Sequence, residues 1–160
     1  MRKYIGAICS FVTGIATFIF LSIAHFVFSS GMFHESLNAW DMLKEADEFT
    51  GIDGYGLYKT ATIFLIILAV LAILSGIVML LQNLGVLKFK FNWNIIHVAI
   101  LGLYVLFALL ALIGMLTIVG KVNAGTSYYH VGVGVYLGLV LGALALGYAI
   151  YELVLQKKSN

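Results

Sequence analysis

Apolar and polar positions divide the chain into four long apolar runs joined by polar stretches. The runs are Tyr4 to Phe28, Thr60 to Leu81, Ile95 to Val119 and Val131 to Val154. A helix needs about 20 mostly apolar residues to cross the hydrocarbon core of a bilayer. All four runs meet that length, and the second and third contain no Asp, Glu, Lys or Arg. Backbone in lipid must satisfy its own hydrogen bonds, so each run is expected to be helical. The predicted fold is all-α: one domain over residues 1–160, an antiparallel four-helix transmembrane bundle. The first run follows Arg2 and Lys3 but exceeds the roughly 7–15 apolar residues of a signal peptide. It is therefore expected to stay as the first span.

The polar stretch at 29–59 has a pattern of its own. From Ser36 to Phe49 the spacing is helical, with Leu37, Trp40 and Leu43 near one face and Asp41, Glu45 and Glu48 on another. Ser36 is the expected N-cap, and Gly51 to Gly56 supplies a turn into the second span. This predicts a short amphipathic helix over the outer end of the bundle, with Trp40 facing lipid or protein. Its acidic stripe offers a surface to a cation or a basic partner; the plainer reading is a solvated helix face. Trp40 followed by Gly56-Leu57-Tyr58 resembles the Trp…Gly-Leu-Trp element of claudin-like proteins, which share a four-helix topology. The paired loop cysteines of that element are absent here, and no function is carried across.

Composition narrows the class. Of 160 residues, 62% are hydrophobic and 10% charged, against roughly 25% charged in a soluble domain. The chain cannot cover a water-facing surface, and a net charge of +2 does not suggest nucleic-acid binding. Lys and Arg collect on the cytoplasmic side of membrane proteins. With both termini inside, that side holds Arg2, Lys3, Lys88, Lys90, Lys157 and Lys158, leaving Lys44, Lys59 and Lys121 outside. Cys9 has no second cysteine to pair with and the outer loops have no N-glycosylation acceptor, which fits a bacterial inner membrane. Between the second and third spans, Leu87 to Trp93 is expected to anchor in the headgroup layer.

Small residues permit close helix approach within lipid. Gly6, Ser10 and Gly14 mark one face of the first helix, and Gly134, Gly138 and Gly142 one face of the fourth. They predict close packing of those two helices, or an interface between copies in a homo-oligomer. The second helix carries Thr62, Ala69, Ala72 and Gly76 at heptad-like intervals.

Ionisable groups in spans are functional candidates. Glu152 and His97 fall at matching depth near the inner end and are expected to form a polar clamp, as a relay or a structural clasp. At the outer end His25 and His130, with His34, offer imidazoles to a metal or haem; hydrogen bonding to neighbours is the plainer reading. No catalytic set, phosphate-cradling loop or zinc motif occurs, so no cofactor is expected and a non-enzymatic role leads. Beside the lipid bilayer, the expected partner is another membrane or extracytoplasmic protein, with this chain as accessory subunit, assembly factor or immunity-type protein. A homo-oligomeric channel lined by Thr13, Thr17, Ser22 and His25 is the alternative, and a membrane redox or metal-binding protein the second.

Overall fold

The computed structural model describes residues 2–88, 93–124 and 128–158. Four long helices dominate: α1 (Arg2–Leu21), α4 (Tyr55–Asn83), α5 (Trp93–Val122) and α6 (Val133–Lys158). All four are long and apolar enough to cross a membrane. Between α1 and α4 lie strands β1 (Ala24–Ser30) and β2 (Phe33–Asn38) and the short helices α2 (Ala39–Lys44) and α3 (Ala46–Phe49). Strand β3 (Tyr129–Val131) precedes α6. Positions 89–92 of the expected headgroup anchor fall outside the described residues.

Apolar side chains lie on both the inside and the outside of the helices. Large apolar residues on the long helices point outward, with Ile8 56%, Leu74 52% and Leu144 70% exposed. Buried between the helices are Ser10, Thr13, Thr17, Thr62, Ser75 and His97. Water would penalise so continuous an apolar surface, whereas lipid tails accept it.

Close approach depends on small residues, between α1 and α4 as well as between the expected pair, α1 and α6. A Cβ on Gly14 would stand 2.6 Å from the Ala69 carbonyl, and one on Gly76 2.8 Å from the Ala7 carbonyl. The nearest backbone contact of α1 is thus with α4, whose Thr62, Ala69, Ala72 and Gly76 are all buried. The expected pair also meets: Gly6 lies against the Glu152 carboxylate of α6, and a Cβ on Gly134 would stand 2.8 Å from the Phe20 carbonyl of α1. Gly142 instead receives the Tyr104 ring of α5, 2.6 Å from a Cβ placed there, and a Cβ on Gly138 would stand 3.8 Å from the Tyr104 hydroxyl. One large aromatic side chain fills the groove that two missing side chains leave.

The main departure from an all-α fold is a three-stranded antiparallel sheet, ordered β2-β1-β3. The first helix ends at Leu21, not Phe28. The alternation His25-Phe26-Val27-Phe28 suits a strand with two different faces, and β1 pairs on both sides. Gly31, at φ 60°, makes the two-residue turn from Ser30 to Phe33. On one face a line of rings ties the sheet to the helices: Phe28 to Tyr129 at 5.0 Å, Tyr129 to Phe26 at 5.2 Å, Phe26 to Phe49 at 5.9 Å, and Phe49 to Tyr55 at 5.5 Å. The Asn123 side chain holds both backbone groups of Tyr129, at 2.8 and 2.9 Å, which fixes β3 against the end of α5.

The candidate site: a buried polar spine and an acidic aromatic cleft

Inside the helices, hydroxyl-bearing residues form a discontinuous spine. Away from the sheet, His97 Nδ1 lies 3.3 Å from Ser10 Oγ and 3.4 Å from Ser75 Oγ. Ser10 donates its proton to the Ala72 carbonyl at 2.7 Å, so toward His97 it can only accept. The indole N–H of Trp93 donates to Ser75. Midway, Thr17 donates to the Thr13 carbonyl, which leaves the Tyr104 hydroxyl to donate to Thr17 Oγ1 at 2.8 Å. Thr13 likewise bonds back to Cys9.

At the sheet end, His25 lies just beyond the last turn of α1 and is 4% exposed. Its Nε2–H donates to the Phe20 carbonyl at 3.1 Å, so Nδ1 accepts from the Tyr58 hydroxyl at 2.7 Å. Gly134 makes the room, since a Cβ there would stand 2.6 Å from the imidazole. Burial pushes the His25 pKa down to about 4, offset in part by the Phe20 hydrogen bond. The residue is therefore neutral at pH 7. Beside it a cavity of about 20 Å³, edged by Thr17, Tyr104 and Gly138, has room for about one water molecule.

This arrangement corrects several expectations. His97 turns to two serines while Glu152, half-buried, lies against Gly6, so the two do not form a clamp; among the described residues the one ion pair is Lys121 with Asp53, at 2.9 Å. The outer histidines do not converge either. His25 is committed to Tyr58 and Phe20, while His34 and His130 stand exposed on the strands flanking β1, opposite Ser29 and Val27. Among the described residues no three His, Cys, Asp or Glu are placed to hold a metal ion. Of the expected channel lining, Thr13, Thr17 and His25 are buried within the chain and Ser22 is exposed.

The outer helix is also different. Residues 33–38 are strand, and α2 is capped by Asn38 rather than Ser36. Asn38 Oδ1 accepts from the Asp41 N–H at 3.0 Å, and the Asp41 carboxylate accepts from the Asn38 N–H at 3.4 Å. Asp41 is thus one half of a capping box, not a free acid of a binding stripe. Trp40 stacks on Phe18 of α1 at 6.4 Å and donates to Ser22, so it fastens the cap to the first helix. The Gly56-Leu57-Tyr58 triplet opens α4.

Glu45 and Glu48 go elsewhere, and there they meet a residue the helical pattern did not single out. Together with Glu35 of β2 they edge an open cleft of about 570 Å³ between the sheet and α3. Phe26, Phe28, Phe49 and Tyr129 line the same cleft. All three glutamates are exposed, and none is ion-paired among the described residues. Two signals in the sequence bear on this cleft: Phe26 and Phe28 alternate, and Glu35 lies two residues past the Gly31-Met32-Phe33 turn.

Fold and site together define a mostly helical chain with four helices of membrane-spanning length and a small sheet packed at one end. No protein-family model and no curated protein matches it.

Proposed function

We propose that the chain is a multi-pass membrane protein that works without enzymatic chemistry, by binding another protein through its sheet-bearing end. The helices form an antiparallel bundle across the bilayer. The excess of Lys and Arg at the opposite end and near both termini supports a cytoplasmic position for that end, with the sheet outside the plasma membrane. The observation that carries the binding reading is the cleft beside α3. Its concave surface sets the half-exposed rings of Phe28 and Tyr129 beside three carboxylates that make no ion pair among the described residues, offering a partner apolar contact and negative charge together. An accessory subunit, an assembly factor and an immunity-type protein would all act in this way.

A channel within one chain has little support from the cavity beside His25, which at about 20 Å³ has room for about one water molecule. A homo-oligomeric channel would have to run between copies, past outward faces that are almost wholly apolar.

The test is the native mass of the gently solubilised protein, with every chain in the particle identified, repeated with a photo-crosslinking residue at Glu48. A second protein joined at Glu48 is the expected result. A particle built only of this chain, in several copies, would move the reading to a homo-oligomer.

A further inference from the structure

The cleft specifies the chemistry of its occupant. It is lined by Phe26, Phe28, Phe49 and Tyr129, of which Phe28 and Tyr129 are half-exposed and Phe26 and Phe49 buried, and the three charged residues that line it are all acidic. Aromatic faces attract cations, and carboxylates do so more strongly. The carboxylates are not gathered closely enough to share a metal ion. A volume of about 570 Å³ suits an organic cation with an apolar stem.

The occupant is further defined by what borders the cleft. Glu35, Ser36 and Leu37 of β2 form one wall, and β2 is an edge strand, paired with β1 on one side only. Beyond it the hairpin tip presents Met32 and Phe33, 102% and 75% exposed. A small free amine would use only the cleft. A polypeptide segment would use the cleft, the free strand edge and the tip together.

We propose that the cleft seats a lysine or arginine side chain presented by a protein partner, with its stem over Phe28 and Tyr129 and its charge among Glu35, Glu45 and Glu48. This inference rests on the protein-binding reading and gives it a chemical class. Among the described residues no basic group of this chain is ion-paired with the three glutamates. Lys121 is held by Asp53, and Lys44 makes no ion pair among the described residues.

The test uses the full chain in neutral-lipid nanodiscs and a fluorescent tetralysine peptide read by anisotropy. Saturable binding is expected for tetralysine and none for its fully acetylated form. The triple variant Glu35→Gln, Glu45→Gln, Glu48→Gln should weaken binding at least tenfold. Phe28→Leu and Tyr129→Leu, each checked to melt within a few degrees of the wild type, should weaken it at least threefold. Wild-type affinity in the triple variant overturns the proposal. So does loss in the triple variant with no change in either folded ring variant, which means surface charge alone. Spermine competing as strongly as tetralysine, mole for mole, assigns the cleft to small amines and equally overturns it. The two readings separate cleanly. A partner crosslinked at Glu48 with no tetralysine binding leaves the protein-binding function standing without this chemistry. Tetralysine binding with no partner leaves the chemistry without that function.

Discussion

His25 shows how much one buried side chain can decide. Both of its nitrogens are used, one by the Phe20 carbonyl and one by the Tyr58 hydroxyl, so it joins the end of α1 to the start of α4 beneath the sheet. The neutral form is the one that fits. In the unfolded chain the imidazole takes up a proton as pH falls below about 6.5, while in the fold it resists until about 4. Stability is therefore full above pH 6.5 and declines as pH drops from there toward 4, by about 3 kcal/mol across that window. Melting temperature in detergent should fall between pH 7 and pH 5 for the wild type. His25→Gln should melt lower at pH 7 and change less over the same range. Equal slopes for the two proteins would remove His25 as the cause. The sequence identified His25 as a polar residue near the outer end of the first helix. It did not identify Tyr58 as its partner, because the two are 33 positions apart and meet only once α1 and α4 pack.

At the scale of elements, the glycines show where pattern and packing part company. The stripe Gly134, Gly138 and Gly142 was legible as small residues on one face, and Gly134 meets α1 as expected, but the neighbour of Gly142 was not legible. Gly142 meets the Tyr104 ring, whereas a Cβ on Gly147 would meet nothing within 4 Å. Gly142→Ala should therefore destabilise the chain by about 1–3 kcal/mol, the usual effect of overpacking. Gly147→Ala should be neutral or stabilising by up to about 1 kcal/mol through helix propensity. Thermal unfolding of the two variants side by side checks this, and equal losses would mean that α5 and α6 do not pack as described. The same limit explains the sheet. The apolar stretch Phe26-Val27-Phe28 of β1 reads like the end of a membrane helix, because hydropathy does not record that Phe26 and Phe28 will find Tyr129, more than 100 positions later. The acidic stripe split for a related reason. Asp41 was drawn into a capping box by Asn38, and Glu45 fell at the break between α2 and α3.

For the whole molecule, the proposed orientation makes a clear statement about accessibility. Cys9 is the only cysteine, so Cys9→Ser provides a background for single introduced thiols. Met32→Cys lies on the fully exposed hairpin tip and Lys88→Cys at the opposite end of α4. In intact cells a membrane-impermeant maleimide should label Met32→Cys and spare Lys88→Cys until the membrane is opened. The reverse pattern would invert the topology and place the cleft in the cytoplasm. Taken alone, the sequence determined that the chain has four apolar helices of spanning length and which of their residues are small. These properties follow from local composition and periodicity. Tertiary structure alone decided which helix each glycine meets, that His97 and Glu152 part, that a sheet caps one end, and that Glu35, Glu45 and Glu48 gather around four rings. Each of those depends on residues far apart in the chain, whose contacts are set by packing after the helices have formed.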